Sequence, residues 1–253
     1  MGIPVLNITQ KPDRMKKMMI TGATSGIGEA LAREAHKQGY TLGLTGRRVD
    51  RLETIQKELG ERVFIRRMDV TDFEDAKKGM FELAEEMGGM DIIVLNAGIS
   101  NYQGSSVLKM EQKVIDVNVS GFVQLANTSY EYFKKQGHGH IVGVSSIASL
   151  FGYGLSAPYS ASKAFISTYM QGYRHKARRV DADIVITDIK PGFVESEMTD
   201  GKKGMFWVAT AEKAAVQMMR AIRKRKNHAY ITKRWRIAAW LIKLTPNWVI
   251  DRI

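Results

Sequence analysis

MMITGATSGIG, residues Met18 to Gly28, decides how the rest of the chain is read. Three apolar residues and a threonine have the composition of a short buried strand. Gly22, Gly26 and Gly28 follow at once, and from Ile27 onward Ala30, Leu31 and Ala35 recur at helical spacing until Gly39 offers a stop. A strand that passes through glycines directly into a helix is a candidate phosphate-binding turn. Glycine lets the backbone bend sharply and approach a pyrophosphate without interference from a Cβ. The first amides of the helix then face the anion. Taken alone, the same residues could form a tight strand–helix turn with no ligand.

Outward from this turn, short apolar runs alternate with longer amphipathic ones. YTLGLTG (Tyr40–Gly46) reads as a second strand, followed by a helix from about Asp50 to Leu59. RVFIRRMDV (Arg62–Val70) is a third strand, with an acidic helix after it from about Asp72 to Met87. DIIVLNAG (Asp91–Gly98) is apolar on both faces, as a buried parallel strand should be. A long helix is expected over roughly Lys109 to Lys135. HIVGVSS (His140–Ser146) and ADIVITDIK (Ala182–Lys190) flank a further helix, and one more helix from about Ala211 precedes HAYIT (His228–Thr232). The pattern predicts an α/β fold: a Rossmann-type, doubly wound parallel sheet of about seven strands in three α/β/α layers. Residues 1–14 read as an N-terminal extension and 15–253 as one domain, with a basic amphipathic end segment over 233–253.

Composition bounds the function classes. The chain has 253 residues, 44% hydrophobic and 25% charged, which suits a globular α/β domain with a large core. It has no Cys, so disulfides, thiolate metal sites and thiol nucleophiles are excluded. GHGH (His138, His140) lacks a third ligand, and no metal is expected. The start lacks a signal-peptide run, Leu6 stands where a myristoylation signal carries Ser or Thr, and no stretch is long enough for a membrane span. A cytoplasmic location is expected. Net charge is +12, with basic residues crowded between Arg220 and Lys243. No nucleic-acid motif accompanies them, so nucleic acid is not an expected partner. In KRWRIAAWLIKLTPNWVI, Trp235, Ala238, Ala239 and Ile242 recur near helical spacing and Leu241 and Leu244 widen the stripe. Pro246 should stop that helix and leave Trp248, Val249 and Ile250 as a second apolar patch. This segment is expected to pack on its own domain or across a subunit interface, with peripheral contact to a membrane surface as the alternative.

YSASK places Tyr159 and Lys163 four residues apart, on one face of a helix. A phenol titrates near about 10, and a neighbouring cation favours its ionised form. With TGATSGIG, this pair resembles the short-chain dehydrogenase/reductase superfamily, in its compact T-G-x-x-x-G-x-G and Y-x-x-x-K branch. Further landmarks occur in order over most of the chain: Asp69 and Val70 after the third strand, Asn96, Ala97 and Gly98 after the fourth, and PGFVES (Pro191–Ser196) after the sixth. The family usually has Thr where Ser196 stands; a hydroxyl is retained.

The resemblance implies a nicotinamide cofactor held by Gly22, Ser25, Gly26, Ile27 and Gly28, by Asp69, Val70, Asn96, Ala97 and Gly98, and by Pro191, Gly192, Val194 and Ser196. At the end of the second strand, LTGRR presents Arg47 and Arg48 and no carboxylate. An acid there would bind a ribose 2′-hydroxyl, whereas arginine accommodates a 2′-phosphate, so NADP(H) is expected, with Arg47 the main contact and Arg48 secondary. The resemblance further implies a catalytic group of Asn118, Ser146, Tyr159 and Lys163. Ser146 would hold the substrate oxygen, Tyr159 would transfer its proton, Lys163 would lower the Tyr159 pKa and bind the ribose hydroxyls, and Asn118 would hold a water. The expected reaction interconverts a carbonyl and an alcohol. Met198, Met205, Phe206 and Trp207, with Leu150, Phe151 and Tyr153, would favour an apolar substrate. A homodimer or homotetramer is implied through the helices carrying Asn118 and Tyr159. A non-catalytic NADP(H)-binding regulatory or membrane-surface protein on the same fold is the alternative. A sugar-nucleotide epimerase or dehydratase, also with Y-x-x-x-K, fits less well, since its first glycines are spaced differently.

Overall fold

A computed structural model of the chain describes residues 16–100, 108–199 and 204–250; the N-terminal extension over 1–14 lies outside them. Seven strands are present: β1 (Lys17–Thr21), β2 (Thr41–Gly46), β3 (Val63–Arg67), β4 (Ile92–Leu95), β5 (His138–Val144), β6 (Asp183–Pro191) and β7 (His228–Ile231). All neighbours pair in parallel, in the order β3-β2-β1-β4-β5-β6-β7. Strand order therefore reverses between β1 and β4, the place where open α/β sheets leave a crevice beyond their carboxyl ends.

Alternation of side chains along each strand assigns the two cores. Met18 and Ile20 face α1 (Gly26–Lys37), α2 (Val49–Leu59) and α7 (Ala211–Arg223), together with Leu42, Leu44 and Val142. Met19, Ile93, Leu95 and Ile141 face α3 (Phe73–Glu86), α5 (Phe122–Gln136) and α6 (Ala157–Ala177) on the opposite side. Caps hold the helix starts where the sequence supplies them: Asp72 accepts from the Asp75 amide at 3.1 Å, and Thr210 accepts from the Lys213 amide at 3.2 Å.

Two expectations need revision. The long helix is broken into α4 (Leu108–Ile115), a π-helical turn over Asp116–Gly121, and α5. Gly121, at the end of that turn, packs closely on Val70, whose carbonyl oxygen would lie 2.6 Å from any Cβ added there. The third, fourth and fifth strands also end sooner than their expected runs. Asp69, Val70, Asn96, Gly98, Ser145 and Ser146 all fall beyond the last paired residue and are free to line the crevice. The end segment forms α8 (Trp235–Leu244) and α9 (Asn247–Ile250), separated at Thr245 and Pro246 as the proline predicts.

Candidate active site

A cleft of about 540 Å³ opens at the carboxyl ends of β1, β4, β5 and β6. Its floor is the glycine turn. Gly22 has φ +68°, and a Cβ on it would come 2.8 Å from the Ala97 Cα. A Cβ on Gly28 would meet the Gly22 carbonyl oxygen at 2.3 Å. Side chains then staple the turn to β4. Thr21 Oγ1 accepts from the amides of Asn96 at 3.1 Å and Ala97 at 3.2 Å, while Asn96 Nδ2 donates to the carbonyls of Thr21 and Gly22. The result is a rigid concave backbone surface at the start of α1, with Ser25, Gly26 and Ile27 at its lip.

Beside this lip stands a basic cluster. Arg48 donates through Nη2 to Ser25 Oγ at 2.7 Å and Thr24 Oγ1 at 3.0 Å, so its guanidinium lies against the turn. Its Nη1 reaches Glu197 at 2.8 Å, and Arg51 pairs with the same carboxylate. Hydrogen bonds from Arg48 and Arg51 hold the Glu197 carboxyl below its usual range. Arg47 instead extends towards Asp69, 3.9 Å from its Oδ2. Burial pushes the Asp69 carboxyl up, but hydrogen bonds from Thr71, with Arg47 and Arg67 nearby, bring it below its usual value. Both arginines line the cleft, but Arg48, expected in the secondary place, is the one seated on the turn.

Ser146, Tyr159 and Lys163 gather at the other end. Ser146 caps a 3₁₀ turn (Ile147–Leu150), accepting from the Ala148 amide at 3.1 Å and donating to the Pro191 carbonyl at 3.4 Å. Tyr159 and Lys163 project from the first turns of α6, which Pro158 helps to start. Lys163 Nζ lies 5.6 Å from the centre of the Tyr159 ring and donates to the Val144 carbonyl at 2.9 Å. That carbonyl is its one hydrogen-bond partner among the described residues, so two ammonium protons remain for a ligand. Burial lowers the Lys163 pKa to about 8, with Asp188 pulling the other way.

The expected lowering of the Tyr159 pKa by Lys163 is not what this geometry produces. Burial raises the phenol above its usual value, and the opposing influence is a hydrogen bond with Ser146.

Asn118 is fully buried one layer behind the cleft. Its Oδ1 accepts from the Ile99 amide at 2.8 Å, and its Nδ2 donates to the Ile99 carbonyl at 2.9 Å and to Ser162 Oγ at 3.0 Å. The amide is thus committed to fixing the chain after β4, and the π-helical turn is where it sits. The remaining expected residues, Val70, Gly98, Gly192, Val194 and Ser196 among them, all line the cleft.

Several residues at the site escaped the sequence reading. Arg51 could have been found, because it stands one helical turn after Arg47. Asp188 and Lys190 form a buried ion pair that Ser145 and Ser167 join by hydrogen bonds, beneath the site; charged residues inside an apolar strand were the available signal. Trp235 is 4% exposed. Its ring packs on Phe193, Phe206 and Trp207 at 5.1–5.5 Å between centres. A Cβ on Gly192 would come 1.9 Å from its Nε1. With Ala239 and Ile147 it forms a small third core against Leu150. Of the residues expected around the substrate, Met198 lines the cleft and Tyr153 stands exposed. Among the described residues no three His, Cys, Asp or Glu side chains group as a metal site.

The family model of short chain dehydrogenase matches residues 16–205. An uncharacterized oxidoreductase of Mycobacterium tuberculosis is 36% identical over 192 residues, spanning 73% of this chain and 75% of the relative. Among solved structures, the closed form of serine dehydrogenase complexed with NADP+ superposes with a TM-score of 0.77 at 25% identity, covering 85% of this chain and 94% of that one. A short chain dehydrogenase/reductase from Burkholderia phymatum in complex with NAD reaches a TM-score of 0.82 at 21% identity, over 90% and 92% of the two chains, and shows the shared fold.

Proposed function

The chain belongs to the short-chain dehydrogenase family, and on that premise we propose that it is an NADP(H)-dependent oxidoreductase. The reaction interconverts a carbonyl and an alcohol on an apolar small molecule. One observation carries the reading: Ser146, Tyr159 and Lys163 line the same end of a cleft whose other end is a glycine turn flanked by Arg47, Arg48 and Arg51. A purely structural cluster would have no reason to bury an ammonium with a single carbonyl partner.

The nicotinamide cofactor supplies the hydride when bound. Lys163 offers its two remaining protons to vicinal hydroxyls such as those of a ribose, and its charge is present below about pH 8. Ser146 turns its hydroxyl towards the substrate oxygen and stabilises charge there. Tyr159 gives its proton to that oxygen in reduction and removes it in oxidation. Burial raises the phenol above its usual value, so near neutrality it carries the proton that the reduction step donates. The Asn118 amide is occupied by Ile99 and Ser162, so its part is to fix the chain after β4 beside Lys163 rather than to hold a water through its side chain.

NADP(H) is favoured over NAD(H) by Arg48 and Arg51. A 2′-phosphate would take the paired donors that Glu197 now takes, and the end of β2 lacks a carboxylate to repel it. The apolar character of the substrate is supported by Leu150, Phe193, Phe206 and Trp207 around the reacting end. Pairing of α5 and α6 with a second copy is part of the reading, supported by Phe165, half-exposed and stacked on Tyr169. A monomer by light scattering would remove that part alone.

The test is Tyr159→Phe in an assay of NADPH consumption across carbonyl classes. The ring and NADPH binding stay, while turnover falls about 10²–10⁴-fold because the transferable proton is lost. Near-normal turnover on a verified substrate overturns the mechanism. Tight NADPH binding with no turnover by the parent protein on any carbonyl favours the non-catalytic alternative.

A further inference from the structure

Helix α8 is apolar on two opposite faces. At 100° per residue, Trp235, Ala239, Ala238 and Ile242 lie on one side, and Ile237, Trp240, Leu241 and Leu244 on the other. Trp235, Ala238 and Ala239 of the first set pack inward with Ile147, Leu150 and Phe193. The second set meets no core. Ile237, Trp240, Leu241, Leu244 and, past the proline, Trp248 are each 54–65% exposed. Contiguous apolar surface of this kind marks an interaction site rather than ordinary scatter.

We propose that this outer face of α8, continued by Trp248, docks the protein on an anionic lipid bilayer surface, with the mouth of the substrate cleft turned to the lipid. The proposal rests on the apolar-substrate reading above, and gives the source from which such a substrate would enter.

Charge selects the partner. From Lys213 to Ile250 the sequence contains no Asp or Glu, while Lys233, Arg234 and Arg236 bracket the start of α8 and stand exposed. A second copy of the chain meeting this face would present the same acid-free segment, with no carboxylate to pair these basic residues. An anionic headgroup layer complements them, and the apolar stripe reaches the acyl boundary below. Tryptophan, with an apolar ring and one N–H donor, suits that boundary.

Position supports the same conclusion. The inner face of α8 forms the wall behind Ser146 through Ile147 and Leu150, and Arg234 lies over Trp207, 5.5 Å from its ring centre. Phe206 and Trp207 are themselves largely exposed at the rim. A surface held by α8 therefore lies beside the entrance to the reacting end.

The experiment is flotation of the full-length protein with vesicles of equimolar phosphatidylcholine and phosphatidylglycerol, and with phosphatidylcholine alone. The parent should float with the anionic vesicles at low ionic strength and at least tenfold less with the neutral ones. Trp240→Glu/Leu244→Glu should lose flotation by at least tenfold, yet keep the parent's NADPH affinity and melting temperature, because neither side chain touches a core. Failure of the parent to float overturns the proposal. So does flotation that survives the double substitution, or a double variant whose main change is dissociation of an oligomer. Lys233→Glu/Arg236→Glu, which leaves the apolar stripe whole, should weaken anionic binding if the double variant misfolds; no effect of that pair overturns the charge argument. Flotation is read without turnover, so a failure of the enzymatic reading shows separately, in the NADPH assay.

Discussion

The two ends of the cleft are built by different means. At the cofactor end, residues close in sequence meet: Gly22 to Gly28 are one turn, and Arg47, Arg48 and Arg51 are one loop and the start of one helix. Their geometry is fixed by the side chains of Thr21 and Asn96, which staple the turn to β4, and by the absence of Cβ atoms. At the substrate end, the wall is assembled from Ile147, Gly192, Phe193, Phe206 and Trp235, which lie far apart along the chain. Its geometry is fixed by ring packing. Both ends exclude an added atom, at Gly28 because of a backbone carbonyl and at Gly192 because of the Trp235 ring, so the first depends on main-chain geometry and the second on a side chain.

The sharpest way to break this comparison is at the turn. Gly28→Val should abolish detectable NADPH binding and lower the melting temperature, since the first added carbon already overlaps the Gly22 carbonyl at 2.3 Å. Retained binding in a fluorescence titration would mean that the turn is softer than its contacts imply.

Trp235→Ala probes the other end. Removing a ring packed on three aromatic neighbours should cost about 3–5 kcal/mol of stability. It should raise KM for substrate much more than the Kd for NADPH. Equal damage to both constants would show that the two ends do not behave independently.

Arg48→Ala should weaken NADPH by about tenfold or more and leave NADH almost unchanged, because charge-assisted hydrogen bonds to a phosphate are lost. Arg47→Ala should do less, its guanidinium being directed at Asp69. The reverse order would restore Arg47 to the principal role.

The smallest effect is on pH. Reductive kcat/KM should fall above about pH 8 as Lys163 loses its proton, while the buried Tyr159 phenol still holds its own. The stability sign is opposite. The folded pKa of Lys163 is lowered, so between about pH 8 and the unfolded value near 10.4 the unfolded chain binds more protons, and this group's contribution to stability rises with pH. A rate profile flat to pH 10 would show that the ammonium is better solvated than its burial indicates.

Much of this was open to inspection in the sequence. The alternation of strands and helices is periodicity, and periodicity is local. TGATSGIG and YSASK are short enough that spacing alone places their residues on a turn and on one helix face. Ser146 followed from family order, and the structure brings it beside Tyr159. Other features were closed to such reading because they depend on contacts between distant segments. The π-helical turn ends where Gly121 meets Val70, and nothing within VNVSG specifies that meeting. The carboxylate of Glu197 reaches Arg48 and Arg51 from 149 and 146 residues away. Burial, and with it the raised Tyr159 and the lowered Lys163, belongs to the assembled cleft and to no single segment. Sequence by itself determined the fold, the glycine turn between the first strand and the first helix, and the placing of Tyr159 and Lys163 on one helix face, because these depend on residue type and short spacing. Tertiary structure decided which arginine sits on the turn, how the phenol titrates, and which face of α8 is left outside, because each depends on what packs against it.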